Sequence, residues 1–323
     1  MAILAGIDEA GLGPRLGPLV VSATALRVPD DWQPETPWRA CADAVIRAPR
    51  RRDARPVVAD SKVVYARGGA TALGRTVFAF VHAQDPDRPL CRSAPLSALL
   101  HRLGAKDVPE HLAEHPWYDE PEDLPEAPPT DEGDGPAVLH RVLREQGARV
   151  ARLEARPLLE GRFNDAVLGG FNKSEILLKE TGLLITALAE AFPAEEMRLT
   201  IDRQGGRKFY HPFLAPLFPG LWIDILKETE AASVYCVRRE AGRIRIAFEV
   251  RAEKSAFCAA LSSILAKYVR ERFMERLNRF FARRLPGLKA TAGYPGDAAR
   301  FIRAVQPILE AIHVPPARFV RMR

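Results

Sequence analysis

Four acidic residues stand where the sequence pattern changes from one element to the next. Asp8 and Glu9 follow the apolar run 3–7, and Asp202 directly follows the stretch "RLTI". Glu253 comes just before a long helix with an apolar pattern. Carboxylates brought together at such positions repel each other and raise each other's pKa unless a cation neutralises them. Because no Cys or His accompanies them, a hard ion that prefers oxygen ligands, Mg²⁺ or Mn²⁺, fits best. The four acids predict a divalent-metal site, with independent caps or solvated turn acids as the alternative.

The elements that position these acids follow from the periodicity. Residues 1–28 predict two strands joined by a Gly/Pro turn, and residues 197–206 predict a strand that ends on Asp202 before a glycine-rich turn. Residues 233–252 predict a second hairpin. Helical spacing covers 172–192, with Asn172 or Ser174 as N-cap, and 254–284, where Pro286 and Gly287 end it. The run "RTVFAFVHA" at 75–83 predicts a buried strand.

Composition indicates a globular protein. With 323 residues and 47% hydrophobic content, the chain can build a sizeable core, as one domain with a large insertion. No secretory signal pattern and no apolar stretch long enough to span a bilayer are present, so we expect a cytoplasmic protein without a membrane partner. Its four cysteines are far apart and form no Cys-x-x-Cys pair, which disfavours a disulfide framework and a zinc knuckle.

The charge is unevenly distributed. Residues 107–134 contain eleven acidic residues and no Lys or Arg, so the rest of the chain carries about +17 although the total is only +6. A chain this basic is expected to meet a polyanion, and nucleic acid is the commonest soluble one. Several Lys and Arg lie on the helix 254–284 and near residues 318–323, which predicts that this region grips phosphates. Segment 107–136 predicts an exposed acidic insertion, either a plain solvated loop or a flap that screens the basic groove.

Five stretches of sequence occur in a recognisable order. They are "GIDEAGLGPRLGPLVVSA", "ADSK", "LTIDRQGG", "EKSAFCAALSSILAKYVRERFM" and "AGYP". In this order the chain resembles the ribonuclease HII family over about 180 to 200 residues. The resemblance implies an α/β fold, a ribonuclease H-like mixed sheet flanked by helices. It implies one catalytic domain over 1–323, with the insertion at 107–136 and a C-terminal helical part, 254–323, that completes the substrate groove.

The resemblance also assigns roles to residues. It makes Asp8, Glu9, Asp202 and Glu253 the catalytic carboxylates that bind two metal ions, Mg²⁺ or Mn²⁺. One ion of such a pair activates water and the other stabilises the leaving oxygen. The residues that it places at the substrate are Gly11, Leu12, Gly13, Arg15, Ser61, Lys62, Asn172 and Tyr294. Of these, Lys62, Asn172 and Tyr294 have plain structural alternatives, as a surface lysine, an N-cap and a turn tyrosine.

Two positions depart from the family pattern. Leu12 stands where ribonuclease HII has the Arg of Gly-Arg-Gly, and Arg15 lies three positions later. Glu253 stands where the family has Asp, and its extra methylene shifts the carboxylate. The related ribonuclease HIII has Gly-Thr-Gly at the first position and prefers longer RNA/DNA hybrids. The changes therefore put in question the preference for a single ribonucleotide and the choice of metal.

The sequence thus predicts a metal-dependent endoribonuclease. It would cut the RNA strand of RNA/DNA hybrids, or at ribonucleotides embedded in duplex DNA, and leave 3′-hydroxyl and 5′-phosphate ends. A non-catalytic nucleic-acid-binding protein on the same fold, or a nuclease with another substrate, is the alternative. Dinucleotide binding by "GLGPRLG" is disfavoured, because the glycine spacing is wrong, two prolines oppose a helix and two acids precede the turn. We expect a monomer; protein partners are not predicted.

Overall fold

The computed structural model describes residues 1–91, 93–105, 108–119 and 135–322, except for the side chains of 109 and 110. Across these residues, seven strands form one mixed sheet. The strands are β1 (Ala2–Ala10), β2 (Leu19–Val28), β3 (Arg149–Leu158), β4 (Met197–Asp202), β5 (Ile223–Glu228), β6 (Ala232–Arg238) and β7 (Arg243–Glu249). Their order in the sheet is β3-β2-β1-β4-β7-β6-β5.

Helices cover both faces of the sheet. They are α1 (Thr36–Ala40), α2 (Ser61–Gln84), α3 (Leu96–Arg102), α4 (Val108–Leu112), α5 (Pro116–Asp119), α6 (Gly135–Glu145), α7 (Glu160–Leu168), α8 (Lys173–Ala191), α9 (His211–Leu214), α10 (Phe257–Arg284), α11 (Pro295–Ala311) and α12 (Pro316–Phe319). Short 3-10 turns cover Ala215–Leu217 and Ala252–Lys254. The expected mixed sheet flanked by helices is confirmed.

Strand direction decides which residues meet at the edge of the sheet. β1 runs parallel to β4 and β4 runs parallel to β7, whereas β1 with β2 and β6 with β7 form the two predicted antiparallel hairpins. Register places Ile7 beside Ile201, so the next residues, Asp8 and Asp202, are neighbours across the strands. Because β1, β4 and β7 are parallel, their carboxyl ends lie at one edge, where parallel sheets commonly bind ligands.

The core has two layers, one on each face of the sheet. One layer contains apolar side chains of α2, α10 and α11, and the other contains those of α8. α10 lies very close to β1, because a Cβ at Gly6 would come within 2.2 Å of the backbone nitrogen of Ala259. Buried hydroxyls fasten this contact: Ser262 Oγ donates to the Gly6 carbonyl at 2.8 Å, and Thr24 Oγ1 donates to the Cys258 carbonyl at 2.8 Å. The start of α10 is therefore held firmly against β1, the strand that carries Asp8 and Glu9.

Two sequence predictions differ from the structure. Residues 75–83 are helical and belong to α2, so the predicted strand is wrong. A short apolar run without a clear period does not distinguish a buried helix from a buried strand. The long helix begins at Phe257 rather than at Lys254, because a 3-10 turn comes first.

The acidic segment is only partly described. Residues 108–119 do not form an exposed loop: Trp117 and Tyr118 are fully buried, and the Trp117 ring lies edge-on to Phe319 with centroids 5.0 Å apart. Buried aromatic rings at its start tie the segment to the core, although its composition is acidic and rich in proline. Residues 120–134, which hold most of the acids, lie outside the described residues, so the flap stays a prediction.

The remaining expectations concern thiols and membranes. All four cysteines, Cys41, Cys91, Cys236 and Cys258, are free thiols. Within the described ranges, no helix has both the length and the apolar character needed to cross a bilayer. The cytoplasmic location and the monomeric state stay predictions.

Candidate active site

A cleft of about 630 Å³ opens at the edge of the sheet where β1, β4 and β7 end. Carboxylates and cations face each other in it. Its acidic lining residues are Asp8, Glu9, Asp60, Asp202 and Glu253. Its basic lining residues are Lys62, Arg203, Arg251, Lys267 and Arg270. The fold therefore brings together the four acids that the sequence singled out, across 245 positions of chain from Asp8 to Glu253.

Three strand ends deliver these acids. Asp8 and Glu9 lie in β1 beyond its last pairing with β4 at Ile7, and Asp202 is the last residue of β4. Backbone amides at the end of β7 hold Asp202 in place, since the Ala252 N–H donates to its Oδ1 at 3.1 Å. Glu253 follows β7 on the 3-10 turn, where Arg251 has a left-handed φ of 59° that turns the chain back toward the cleft.

The pKa values of all four acids are raised. Burial is the largest cause for each, and the charge of Glu9 adds to it for Asp8. For Glu9, burial together with the charge of Asp202 raises the pKa to about 7. Burial also raises the pKa of Asp202 and of Glu253, and the Asp202 charge contributes to the latter. The cleft thus holds more negative charge than its surroundings stabilise, which favours a bound cation.

Two serine hydroxyls, those of Ser263 and Ser61, connect Asp8 to the start of α2. The Ser263 hydroxyl on α10 hydrogen-bonds the Asp8 carboxylate and lowers its pKa against the effect of burial. Ser263 Oγ also lies within hydrogen-bond distance, 2.9 Å, of Ser61 Oγ. Ser61 opens α2 after its N-cap Asp60, whose Oδ1 accepts from the Lys62 N–H at 2.8 Å. The start of α2 is therefore coupled to the acids, which explains why the "ADSK" stretch lies in the cleft.

The glycine-rich turn after β1 forms one wall of the cleft. Gly11 has φ 93°, and a Cβ there would come within 2.5 Å of the Pro18 carbonyl, so only glycine fits. Leu12 is partly buried and packs against the core layer that contains α8. Its apolar side chain brings no positive charge to the cleft. Among the described residues, the amides of Leu12 and Gly13 donate to no backbone carbonyl. These two amides are therefore available to a ligand.

Buried charges hold the turn from beneath. Arg321, near the C-terminus, is fully buried and donates to the carbonyls of Gly11 and Leu12, at 3.0 Å for Leu12. Its guanidinium lies 4.0 Å from the centre of the Phe163 ring. Burial lowers the pKa of Arg321 to about 10, and the nearby Glu160 carboxylate opposes that shift. Glu160 is buried as well and accepts from the Gly17 N–H at 3.0 Å.

Two further side chains lie beside the glycine-rich turn and extend this wall of the cleft. Tyr294, in the "GYP" turn before α11, is 50% exposed and lines the cleft. The guanidinium of Arg270 lies 5.9 Å from the centre of its ring. Arg270 itself is buried and donates to the carbonyl of Ala292 at 3.0 Å. Tyr294 therefore offers an exposed ring and hydroxyl on a firmly held turn.

Three predicted substrate residues do not belong to the lining of the cleft as described. Gly13 lies on the turn and is exposed, and Arg15 joins the neighbouring "GYP" turn through its backbone N–H, 2.7 Å from the Gly293 carbonyl. Asn172 caps α8: its Oδ1 accepts from the N–H groups of Ser174 and Glu175 at 2.9 and 3.1 Å. The structural alternative for Asn172, an N-cap, is thus present.

The predicted basic face of the long helix is only partly exposed on α10, where Arg283 and Arg284 are the exposed arginines. Arg270 and Arg272 are buried, and Arg279 pairs with Glu275 at 2.7 Å. Of the basic residues of this helix, Lys267 and Arg270 line the cleft. Near the C-terminus, Arg321 is buried too, and Arg323 lies outside the described residues. A count of charges did not reveal that these arginines serve packing.

Sequence reasoning missed several residues of the cleft. Asp60 directly precedes the predicted Ser61, and its position beside a metal-binding stretch was a usable signal. Arg203 and Arg251 follow the strand ends at Asp202 and Glu249, so topology rather than motif brings them to the site. Ser263 is indistinguishable in sequence from other small residues of the helix.

The carboxylates line one cleft without forming a ready-made cluster. Within the described part of the chain, no three His, Cys, Asp or Glu side chains stand close enough to hold a metal ion. In their chemistry they still fit a hard divalent cation, because all of the donors are oxygens and their pKa values are raised by burial and by each other.

Comparison with known proteins gives structural matches only. No family model and no curated protein matches the sequence. The chain is similar to ribonucleases H of types 2 and 3. Ribonuclease HII of Archaeoglobus fulgidus, solved as a complex with PCNA, is 19% identical, with 99% of this chain and 94% of that chain covered and a TM-score of 0.42.

Two further structures belong to the same group. Ribonuclease H2 of Pyrococcus horikoshii is 12% identical, with 98% and 92% covered and a TM-score of 0.43. Bst-RNase HIII in complex with Mn²⁺ is 17% identical, with 99% of this chain but 66% of that chain covered and a TM-score of 0.43. At these identities and TM-scores the likenesses carry no inference about function, which rests on the site itself.

Proposed function

We propose that this chain is a metal-dependent endonuclease of the ribonuclease HII type. It cuts the RNA strand of RNA/DNA hybrids, or at ribonucleotides embedded in duplex DNA, and leaves 3′-hydroxyl and 5′-phosphate ends. One observation carries the proposal: the carboxyl ends of three parallel strands bring Asp8, Glu9, Asp202 and Glu253 to one cleft, where burial raises the pKa of each.

Asp8, Glu9, Asp202 and Glu253 are the residues that would hold Mg²⁺ or Mn²⁺. The chemistry that such ions supply when bound is activation of a water and stabilisation of the leaving oxygen. A bound cation would offset the mutual repulsion of the four carboxylates and draw their oxygens toward it. Glu253, one methylene longer than the family Asp, has the reach to follow from its position on the 3-10 turn.

The other residues of the cleft bind and orient the nucleic acid. Lys62 and Lys267 bring positive charge next to the carboxylates, which favours approach of the phosphate backbone. The amides of Leu12 and Gly13 are free to donate to the sugar that carries the 2′-hydroxyl, the group that separates RNA from DNA. Tyr294 presents its ring to the same sugar or to the next one.

Backbone recognition removes the need for an arginine at position 12. Arg321 donates to the carbonyls of Gly11 and Leu12 and so fixes the turn, which leaves the backbone amides of Leu12 and Gly13 to bind the substrate. A Leu at position 12 then contributes packing only. We expect the ribonucleotide preference to persist, with a weaker grip on the phosphates than an additional arginine would give.

A cleavage assay with an inactive variant tests the proposal. Purified protein is incubated with a labelled duplex that contains one ribonucleotide, with a long RNA/DNA hybrid and with an all-DNA duplex, in Mg²⁺, Mn²⁺ or EDTA. We expect cutting of the ribonucleotide-containing substrates with metal only, and a loss of about 100-fold or more for Asp8→Asn, which is about 3 kcal/mol of activation free energy. Asp31→Asn is the matched control, because Asp31 is an exposed acid in the turn after β2, at the end of the sheet opposite the cleft.

A non-catalytic nucleic-acid-binding protein is the second candidate. Leu12, Glu253 and the lack of a ready-made metal cluster among the described residues favour it. Duplex binding by wild type and Asp8→Asn alike, with no cutting in either metal, would select this candidate. Cutting of the long hybrid alone would mean that the turn with Leu12 has shifted the substrate preference.

A further inference from the structure

A strongly basic loop lies outside the cleft. It spans residues 47–55, "RAPRRRDAR", between Ile46 and Pro56. Its two arms are joined at the base, because the Ile46 N–H donates to the Pro56 carbonyl and the Val58 N–H donates to the Ile46 carbonyl, both at 2.9 Å. The loop is therefore tethered rather than free.

The tip of the loop carries positive charges that form no salt bridge with the described carboxylates. Arg50, Arg51 and Arg52 are exposed, and in the described part of the chain no carboxylate forms a salt bridge with any of them. Asp53, the acid of the loop, is occupied by Arg55, whose Nη2 lies 2.6 Å from Asp53 Oδ2. The exposed tip thus presents three adjacent, positively charged guanidinium groups to solvent.

Both arms of the loop lead into the cleft. On one side the Arg47 guanidinium stacks over the Trp38 ring at 4.4 Å and donates to the carbonyl of Lys254, the residue after Glu253. On the other side the chain passes through Val58 to Asp60, Ser61 and Lys62, which line the cleft. The loop is thereby fixed on both sides to the wall that contains the carboxylates.

We propose that this loop binds the phosphate backbone of a duplex nucleic acid on one flank of the cleft. The duplex as partner rests on the proposed function; the binding surface rests on the loop. Guanidinium groups pair with phosphates in a bidentate manner and lose little hydration in doing so. The loop offers only Ala48, Pro49 and Ala54 as apolar residues, which is too little to build the apolar centre of a protein interface.

Chain length limits how far the loop reaches. Eight residues separate Arg52 from Asp60, so the tip lies at most about 27 Å of extended chain from the cleft. This distance corresponds to about eight base pairs along a duplex. A duplex that extends by this length on the loop side therefore reaches the three arginines, whereas a duplex of about eight base pairs centred on the cleft extends only about four base pairs toward them.

Binding assays with two triple variants test this inference. Arg50→Gln/Arg51→Gln/Arg52→Gln removes the charge of the tip. The control, Arg141→Gln/Arg144→Gln/Arg149→Gln, removes the same charge from exposed positions on α6 and at the start of β3. That end of β3 pairs with Arg27, near the opposite edge of the sheet from the cleft. Circular dichroism and thermal midpoints verify that both variants are folded.

Fluorescence anisotropy in EDTA measures binding without cutting. With a labelled duplex of about 24 base pairs we expect the loop variant to lower the slope of log K against log salt by about 2 to 3, and to bind about tenfold or more weakly at 100 mM salt. With a duplex of about eight base pairs, placed in the cleft alone, the loop variant binds like wild type. The control variant leaves both slopes unchanged.

The outcomes separate this inference from the proposed function. An unchanged salt slope of the loop variant on the long duplex overturns the inference, as does an equal loss on short and long duplexes or an equal loss in the control. Binding of anionic vesicles or acidic proteins but of no duplex overturns it too. If wild type cuts no substrate in any metal while the slope difference persists, the loop is a duplex-binding surface and the nuclease proposal fails alone.

Discussion

The strongest electrostatic prediction concerns Glu9 in the metal-free protein. Burial and the charge of Asp202 raise its pKa from 4.5 to about 7. The carboxyl has a higher pKa in the folded protein than in the unfolded chain, so protonation stabilises the folded state. The free energy of unfolding therefore falls as the pH rises from 4.5 to 7. The cost above pH 7 is about 3 kcal/mol, since a shift of one in pKa corresponds to about 1.4 kcal/mol.

Glu9→Gln removes the titrating charge and keeps the shape. For 323 residues an unfolding entropy of about 0.7 kcal/mol/K converts 3 kcal/mol into a rise in thermal midpoint of about 4 °C at pH 8. At pH 5 most of the penalty is absent, and the rise falls to about 1 °C. Thermal unfolding in EDTA at both pH values measures this. Glu240→Gln, in the exposed turn between β6 and β7, is the control and shows no such difference.

Metal addition gives a second readout of the same site. At pH 8, Mn²⁺ or Mg²⁺ should raise the midpoint of wild type more than that of Glu9→Gln, because the cation relieves a repulsion that the variant lacks. An equal gain from Glu9→Gln at pH 5 and pH 8, or a variant less stable than wild type at pH 8 without metal, would refute the reasoning.

Substitutions at four other positions test the supporting structure. Gly6→Ala places a methyl group 2.2 Å from the backbone of α10, so we expect urea unfolding to show a loss of about 1 to 3 kcal/mol. Gly13→Ala, with nothing within 4 Å of the added methyl group, should change it by less than about 0.5 kcal/mol. Arg321→Met leaves the buried Glu160 without its compensating charge and should cost about 3 to 5 kcal/mol, of which Arg321→Lys recovers a part. Asn172→Ala loses an N-cap worth about 1 kcal/mol with cleavage unchanged; a loss of cleavage at unchanged stability would return Asn172 to the substrate site.

Local patterns predicted the elements that carry the acids. The apolar runs of β1 and β4 end at acidic residues, and this was sufficient to locate Asp8, Glu9 and Asp202 at strand ends and Glu253 just before the long helix. Whether those ends meet depends on strand order and direction, which periodicity does not specify. The motif resemblance provided that information, and the parallel register of Ile7 with Ile201 is its physical basis.

Tertiary contacts decided what the sequence could not. The run at 75–83 is apolar on every side because α2 is enclosed by the sheet, α10 and α6, so its helical period is hidden. Trp117 is buried although its neighbours are acidic, because one large ring outweighs several solvated charges. Arg321 and Arg270 resembled nucleic-acid contacts in the sequence, but inside the fold they donate to carbonyls.

The grip of Arg321 on the first turn has a consequence for synthesis of the protein. Arg321 and Gly11 are separated by 310 positions, so the contact closes nearly the largest loop that the chain allows and forms late on topological grounds. A growing chain can pair β1 with β2 early, but nothing yet holds its glycine turn against the cleft. Asp8 and Glu9 are thus made early and the wall beside them is fixed late, so the complete cleft exists only once residue 321 has left the ribosome.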